Sequence, residues 1–202
     1  RDPSADILGF DACRKVCILA SLCFGKHVYP DQVHTEGITE ITLEDVEYAK
    51  DWGGVIKLLG RARKSEDGKH IYAIVSPAFV DHHSQLASVD DVFNAILVRG
   101  DAIGDVVFYG RGAGKLPTAS AVVADVVDAL KNGAQVHDSL FWQPADPVDG
   151  MLTDPAPAAY YVRVAGIAPA VVEAIYGYGK VVDERLSLIH ISEPTRLRCL
   201  SY

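Results

Sequence analysis

Apolar and polar positions divide the chain into alternating helical and extended segments. From Phe10 to Phe24 the run FDACRKVCILASLCF has apolar side chains and no helix breaker, and Gly25 follows as a stop, which predicts a mostly buried helix. Residues 37–41, GITEI, are β-branched and predict a short strand. Thr42, with Asp45 three residues on, predicts a capping box that opens a helix over Leu43–Asp51, ended by Gly53 and Gly54. Strand-like runs follow at 55–60, 71–77 and 93–98, the first two joined by the polar loop SEDGK. Residues 99–104, RGDAIG, then turn the chain into 105–109 as a hairpin. A glycine-rich turn, GRGAG at 110–114, leads into a helix over 117–130 with Ala, Val and Asp at helical spacing. Residues 132–158 hold Gly133, Pro144, Pro147, Gly150, Pro155 and Pro157, a linker composition, and a new strand opens at 159–164. Strands interleaved with helices predict an α+β fold, a sheet with helices packed on one face.

Composition narrows the function classes. The 202 residues are 49% hydrophobic and 23% charged, which is ordinary for a globular chain long enough for one sizeable core and a smaller second unit. A formal net charge of −8 without any Lys/Arg cluster argues against nucleic acid as a partner. No apolar run reaches the roughly 20 residues that span a bilayer, and RDPSAD is unlike a signal peptide, so a cytoplasmic location with no membrane partner is expected. Cys13 and Cys17 share a helical face, but a metal site would need two further ligands. Cys13, Cys17 and Cys23 therefore read as buried small hydrophobes. His82 and His83 are adjacent, point apart and have no third ligand at useful spacing, which predicts a solvated loop and no metal.

Two stretches bear chemistry. In DPSADILGFDACRK, Asp11 and Lys15 are four apart on a predicted helix, with the acid N-terminal to the base. Such a pair is either an exposed ion pair contributing about 0.3–0.5 kcal/mol, or a lysine held by a carboxylate beside a substrate and able to protonate a developing alkoxide. The GRGAG turn before a helix is either a structural turn or a place where backbone N–H groups meet a polar ligand. It lacks the G-x-G-x-x-G spacing of a dinucleotide fingerprint. Thr118, just inside that helix, is either its cap or a ligand contact.

Taken in order, these motifs resemble the homoserine dehydrogenase family, of the monofunctional type. The family signature falls on Asp2, Pro3, Asp6, Ile7, Gly9, Asp11 and Lys15 without departure. The segments GIT at 37–39, VIKLL at 55–59, VFNA at 92–95, FYGRGAG at 108–114 and PTASAVV at 117–123 look like that family too, and the resemblance covers about residues 1–131. It implies reduction of L-aspartate 4-semialdehyde to L-homoserine with NADPH or NADH, toward threonine, methionine and isoleucine. By position, Lys15 would be the proton donor and Asp11 would orient it and help bind substrate. Asp6 would face the substrate's α-ammonium, and Gly114 and Thr118 would contact the cofactor. The resemblance also implies a homodimer or higher homo-oligomer and a mixed β-sheet.

The same resemblance defines what to expect of the remaining chain. Residues 1–108 would be the catalytic and substrate domain, N-terminally truncated just after a substrate-binding glutamate, and 109–131 would return to a nucleotide-binding domain not present in these residues. On that reading the 202 residues alone are not expected to turn over substrate. The strand at 159–164 lies where some members begin an ACT regulatory domain, so 159–185 would be a partial ACT-like βα segment, although the turn at 166–171 lacks the usual glycine. Residues 186–202 resemble a translated sequencing adapter from Leu186 to Arg196, so no fold or ligand role is expected of His190, Glu193 or Cys199. The alternative function is a non-catalytic, small-molecule-binding regulatory module with the same fold.

Overall fold

The computed structural model describes residues 2–133, 141–145, 160–163, 180–183, 188–190 and 196–199. It comprises two units, Arg1–Phe79 with Phe141–Tyr202, and Val80–Leu140.

In the first unit, a single turn α1 (Ser4–Ile7) precedes α2 (Phe10–Phe24), and Gly9, at φ 82°, breaks the two apart. The apolar run of α2 is amphipathic rather than buried all round. Cys13, Val16, Cys17, Ala20 and Ser21 recur at helical spacing and are buried, while Ile18 and Leu22 on the opposite stripe are exposed. Gly25 ends α2 in the left-handed conformation and its N–H donates to the Ser21 carbonyl. The buried Ser21 hydroxyl donates to the Cys17 carbonyl at 2.7 Å and accepts from the Val28 N–H at 2.9 Å, so the polar group is satisfied.

The helix α3 (Leu43–Asp51) forms as its capping box predicts: Thr42 Oγ1 accepts from the Asp45 N–H and Asp45 Oδ2 accepts from the Thr42 N–H. Strands β2 (Gly54–Lys64) and β3 (Ile71–Asp81) are neighbours in one sheet, and the short loop between them makes them antiparallel. A two-residue strand β1 (His34–Thr35) pairs in parallel with β3 at Ile74 and Val75, which makes the sheet mixed. Alternate residues of β3 face the helices. Ile71, Ala73 and Val75 pack with α2, and Phe79 packs with Tyr48 and Ala49 of α3, so both helices cover the same face.

The strand predicted at 37–41 is not formed; strand pairing falls at His34–Thr35 and residues 38–40 turn. The reason is a close approach. A Cβ at Gly37 would collide with the Ile7 carbonyl and lie 2.6 Å from Leu8 Cα, and the Ile38 N–H donates to the Ile7 carbonyl at 2.8 Å. The α1 turn therefore takes the hydrogen bond that a neighbouring strand would have made.

The remainder of the first unit comes from the C-terminal third. Within the linker-like segment, the Gln143 N–H donates to the Gly25 carbonyl and Gln143 accepts from the His27 N–H, while Trp142 lies edge-on to the His27 ring. Strands β6 (Tyr160–Arg163), β7 (Lys180–Asp183), β8 (Leu188–His190) and β9 (Arg196–Cys199) form a sheet in the order β7-β8-β6-β9. The strand expected at 159–164 is thus present. β8 and β9 lie in the adapter-like tail; pairing uses backbone groups alone and does not bear on the origin of those residues. The turn at 166–171 and Glu193 lie outside the described residues.

In the second unit, β4 (Phe93–Gly100) and β5 (Gly104–Arg111) form the expected hairpin, paired from Phe93–Arg111 to Gly100–Gly104. Gly104, at φ 72°, closes a three-residue loop. α4 (Lys115–Asn132) starts two residues before the expected 117, because Pro117 sits in the first turn, where its missing N–H has no intrahelical acceptor. His82 and His83 are exposed in the turn after β3. Among the described residues no helix is long and apolar enough to cross a membrane, and no three His, Cys, Asp or Glu side chains converge as metal ligands.

Candidate functional site

The DPSADILG segment opens on an Asx turn made by Asp2, just before the Pro3 N-cap of α1. The Asp2 carboxylate accepts from the Ser4 N–H at 3.0 Å, and this hydrogen bond holds its pKa below the ordinary carboxylate value. The turn ends at Gly9, where a side chain would meet Thr35 Cγ2 at 3.1 Å and Val75 Cγ1 at 3.2 Å. Only glycine meets both the positive φ and the close packing against β1 and β3. Asp6 is thereby placed, exposed, on the turn immediately before α2.

On α2, Lys15 Nζ lies 2.6 Å from Asp11 Oδ2. The side chains are 55% and 43% exposed, on the stripe opposite the buried core face. The structure brings Asp11 and Lys15 into direct contact and places Asp6 on the adjoining turn. In isolation, an exposed ammonium fixed by one carboxylate is able to donate a proton to an oxygen presented from solvent.

Gly114 and Thr118 belong to the second unit. Gly114 is the N-cap of α4 at φ 121°, ψ 154°, a conformation that side-chain-bearing residues avoid. The Thr118 N–H donates to the Gly114 carbonyl, so Thr118 lies inside the first turn and is not the cap. Arg111, Gly114, Lys115, Leu116, Pro117 and Ser120 line an open concavity there. Two cations beside first-turn amides that lack intrahelical acceptors suit an anionic group such as a nucleotide phosphate. Behind this turn, the Arg111 guanidinium lies over the Phe93 ring, which stacks on Tyr109 at 4.9 Å.

The expected thiol burial holds for Cys13 and Cys17 but not for Cys23, which is exposed in the last turn of α2. Burial and the neighbouring Cys13 push the Cys17 thiol up to about 12. Such a group is inert at neutral pH.

One polar cluster was not anticipated beyond its capping box. Asp45 is fully buried and accepts from Tyr161 Oη at 2.8 Å and from Arg163 Nη1 at 2.6 Å. Tyr161 packs against Tyr48 and Phe79, with ring centroids 5.2 and 5.0 Å away. No local pattern signals these partners, which lie more than a hundred residues from Asp45 in the chain.

Similarity to known proteins decides the family. The homoserine dehydrogenase family model matches residues 1–127. The chain belongs to the homoserine dehydrogenase family. It is 39% identical over 174 residues to the homoserine dehydrogenase of Pseudomonas aeruginosa, a match covering 81% of this chain and 38% of that protein. The fold resembles a crystal structure of Staphylococcus aureus homoserine dehydrogenase, with a TM-score of 0.72, 32% identity and coverage of 96% of this chain and 50% of that one. It also resembles a hyperthermophilic archaeal homoserine dehydrogenase in complex with NADPH, with a TM-score of 0.53, 26% identity and coverage of 68% and 37%. The chain spans about a third of the length of the curated relatives it matches. The family match does not favour the regulatory-module alternative.

Proposed function

We propose that this chain supplies the substrate half of an NAD(P)H-dependent reduction of L-aspartate 4-semialdehyde to L-homoserine. The observation that carries the reading is the Asp11–Lys15 contact at 2.6 Å, set on the family's matched segment directly after the Asp6 turn. When bound, NADPH or NADH supplies the hydride that forms the new C–H bond at the aldehyde carbon. As the C=O electron pair moves onto oxygen, Lys15 Nζ gives its proton to that oxygen and completes the hydroxyl of homoserine. Because negative charge develops on oxygen only along this path, a positioned ammonium stabilises the transition state more than the ground state. Asp11 keeps the ammonium aimed, and Asp6 binds the substrate's α-ammonium.

The turn at Gly114 suits a cofactor phosphate, with Arg111 and Lys115 as cations and Thr118 one turn in. The NADPH complex of the archaeal relative supports this choice of cofactor. Exposed Ile96, Val98 and Phe108 on the β4–β5 hairpin support a homodimer, and the free thiols Cys13, Cys17 and Cys23 support a cytoplasmic location. The strand Tyr160–Arg163, formed within the predicted 159–164, supports an ACT-like beginning.

The test uses a protein that carries this chain together with a nucleotide-binding domain. Lys15→Ala should lower kcat for aspartate semialdehyde by about 10²–10⁴-fold. Turnover within a few-fold of the parent would remove Lys15 from the donor role.

A further inference from the structure

The side chain of Arg163 is only 25% exposed, and it spans two parts of the first unit at once. Its Nη1 donates to Asp45 Oδ2 at 2.6 Å and to Thr42 Oγ1 at 2.7 Å, holding the start of α3. Its Nη2 donates to the Glu40 carbonyl at 3.1 Å, holding the loop that precedes α3. That same loop is tied at its other end to the α1 turn. The Ile38 N–H donates to the Ile7 carbonyl at 2.8 Å, and Gly37 packs without room for a side chain against Ile7 and Leu8. Residue Ile7 directly follows Asp6.

We propose that Arg163 is a positioning residue through which strand β6 fixes the loop 36–41, and through that loop the α1 turn that carries Asp6. A guanidinium suits the task, because its planar fork presents donors in two fixed directions to two acceptors on different segments. An ammonium is a single point that cannot reach both in that geometry. Displacing β6 from α3 releases the Glu40 carbonyl and loosens the Asp6 turn without any change at Asp6 itself. The consequence for substrate binding rests on the reading of Asp6 given above; the coupling itself does not.

The experiment is amide hydrogen exchange on the 202-residue chain, comparing the parent with Arg163→Lys and Tyr161→Phe. Arg163→Lys keeps a cation for Asp45 but gives up the Glu40 carbonyl. Exchange at Ile38 and across residues 4–8 should rise about five- to tenfold, the effect of one lost hydrogen bond, with β3 protection unchanged. Tyr161→Phe removes the bond to Asp45 Oδ1 but keeps Arg163 on the Glu40 carbonyl, and should raise Ile38 exchange less than Arg163→Lys does. Parent-level Ile38 exchange in Arg163→Lys, or an equal rise throughout the unit, overturns the proposal. In a protein that also carries the nucleotide-binding domain, Arg163→Lys should raise KM for aspartate semialdehyde about five- to tenfold with kcat within twofold. If exchange responds and KM does not, the coupling stands and the reading of Asp6 falls.

Discussion

Tyr161 Oη donates to Asp45 Oδ1 at 2.8 Å, joining residues 116 positions apart at a carboxylate with no exposed surface. Asp45 also accepts from the Thr42 N–H at 2.7 Å and pairs with Arg163 at 2.6 Å, so both of its oxygens are engaged. Removing one partner of a buried ion pair leaves the other charge uncompensated, typically at about 3–5 kcal/mol. Asp45→Ala should therefore destabilise the chain by about that amount, measured by urea denaturation. Tyr161→Phe, which removes one hydrogen bond to a charged group, should lower stability by about 1.5–3 kcal/mol. A loss under about 1 kcal/mol for Asp45→Ala would show that residues 160–163 do not dock on α3 in solution.

Two buried acids set the alkaline limit. Burial and Cys13 raise the Cys17 thiol from its ordinary 9.0 to about 12, and burial with the Asp45 carboxylate holds the Tyr161 phenol well above its ordinary 10.0. In the unfolded chain both release protons at their ordinary values, while in the folded chain both stay protonated. Above pH 9 the unfolded state thus binds fewer protons, and stability falls as pH rises, by up to about 1.4 kcal/mol per pH unit per group. The contribution is complete below pH 9 and, for Cys17, is lost by about pH 12. Urea midpoints between pH 8 and 11 should decline in the parent and decline less steeply in Cys17→Ala and in Tyr161→Phe. Parallel slopes in all three would refute the assignment.

Gly9→Ala tests the break between α1 and α2. The substitution forces a side chain into φ 82° and against Thr35 and Val75, at 3.1 and 3.2 Å. Strain of this kind typically amounts to about 1–3 kcal/mol. Calorimetry should show a lowered Tm, whereas Gly25→Ala, with open space around its Cβ, should lower it less.

Much of this architecture is legible in local pattern. The capping box of Thr42 and Asp45, the hairpin turn at 99–104 and the stop at Gly25 each depend on residues a few positions apart, and each forms where its chemistry predicts. Residues 37–41 have strand composition, yet the Ile38 N–H is taken by Ile7, thirty-one positions back, so tertiary contact overrides propensity. The apolar run of α2 gives no sign that Cys23, in its last turn, is exposed. Asp45 was visible as a cap but not as the anchor of Arg163, because nothing near Arg163 in the sequence points to α3. At the candidate site the ordered signature points to Asp6, Asp11 and Lys15, while geometry alone shows one exposed ion pair and a neighbouring carboxylate.

That exposure makes the pair separable from the fold. Asp11 and Lys15 sit on the solvent stripe of α2, four residues apart, where an ion pair contributes about 0.3–0.5 kcal/mol and is screened by salt. The residues that hold α2 in place, among them Val16, Cys17 and Ala20, lie on the opposite face. Lys15→Ala and Asp11→Ala should each shift the urea-derived stability of the chain by no more than about 0.5 kcal/mol. The shift should shrink further at high ionic strength. Stability left intact in both variants assigns any accompanying loss of turnover to the chemistry proposed for Lys15 and Asp11 and not to unfolding. A loss above about 1 kcal/mol would instead make the pair a structural element of α2 and remove the basis for reading their kinetics as chemistry.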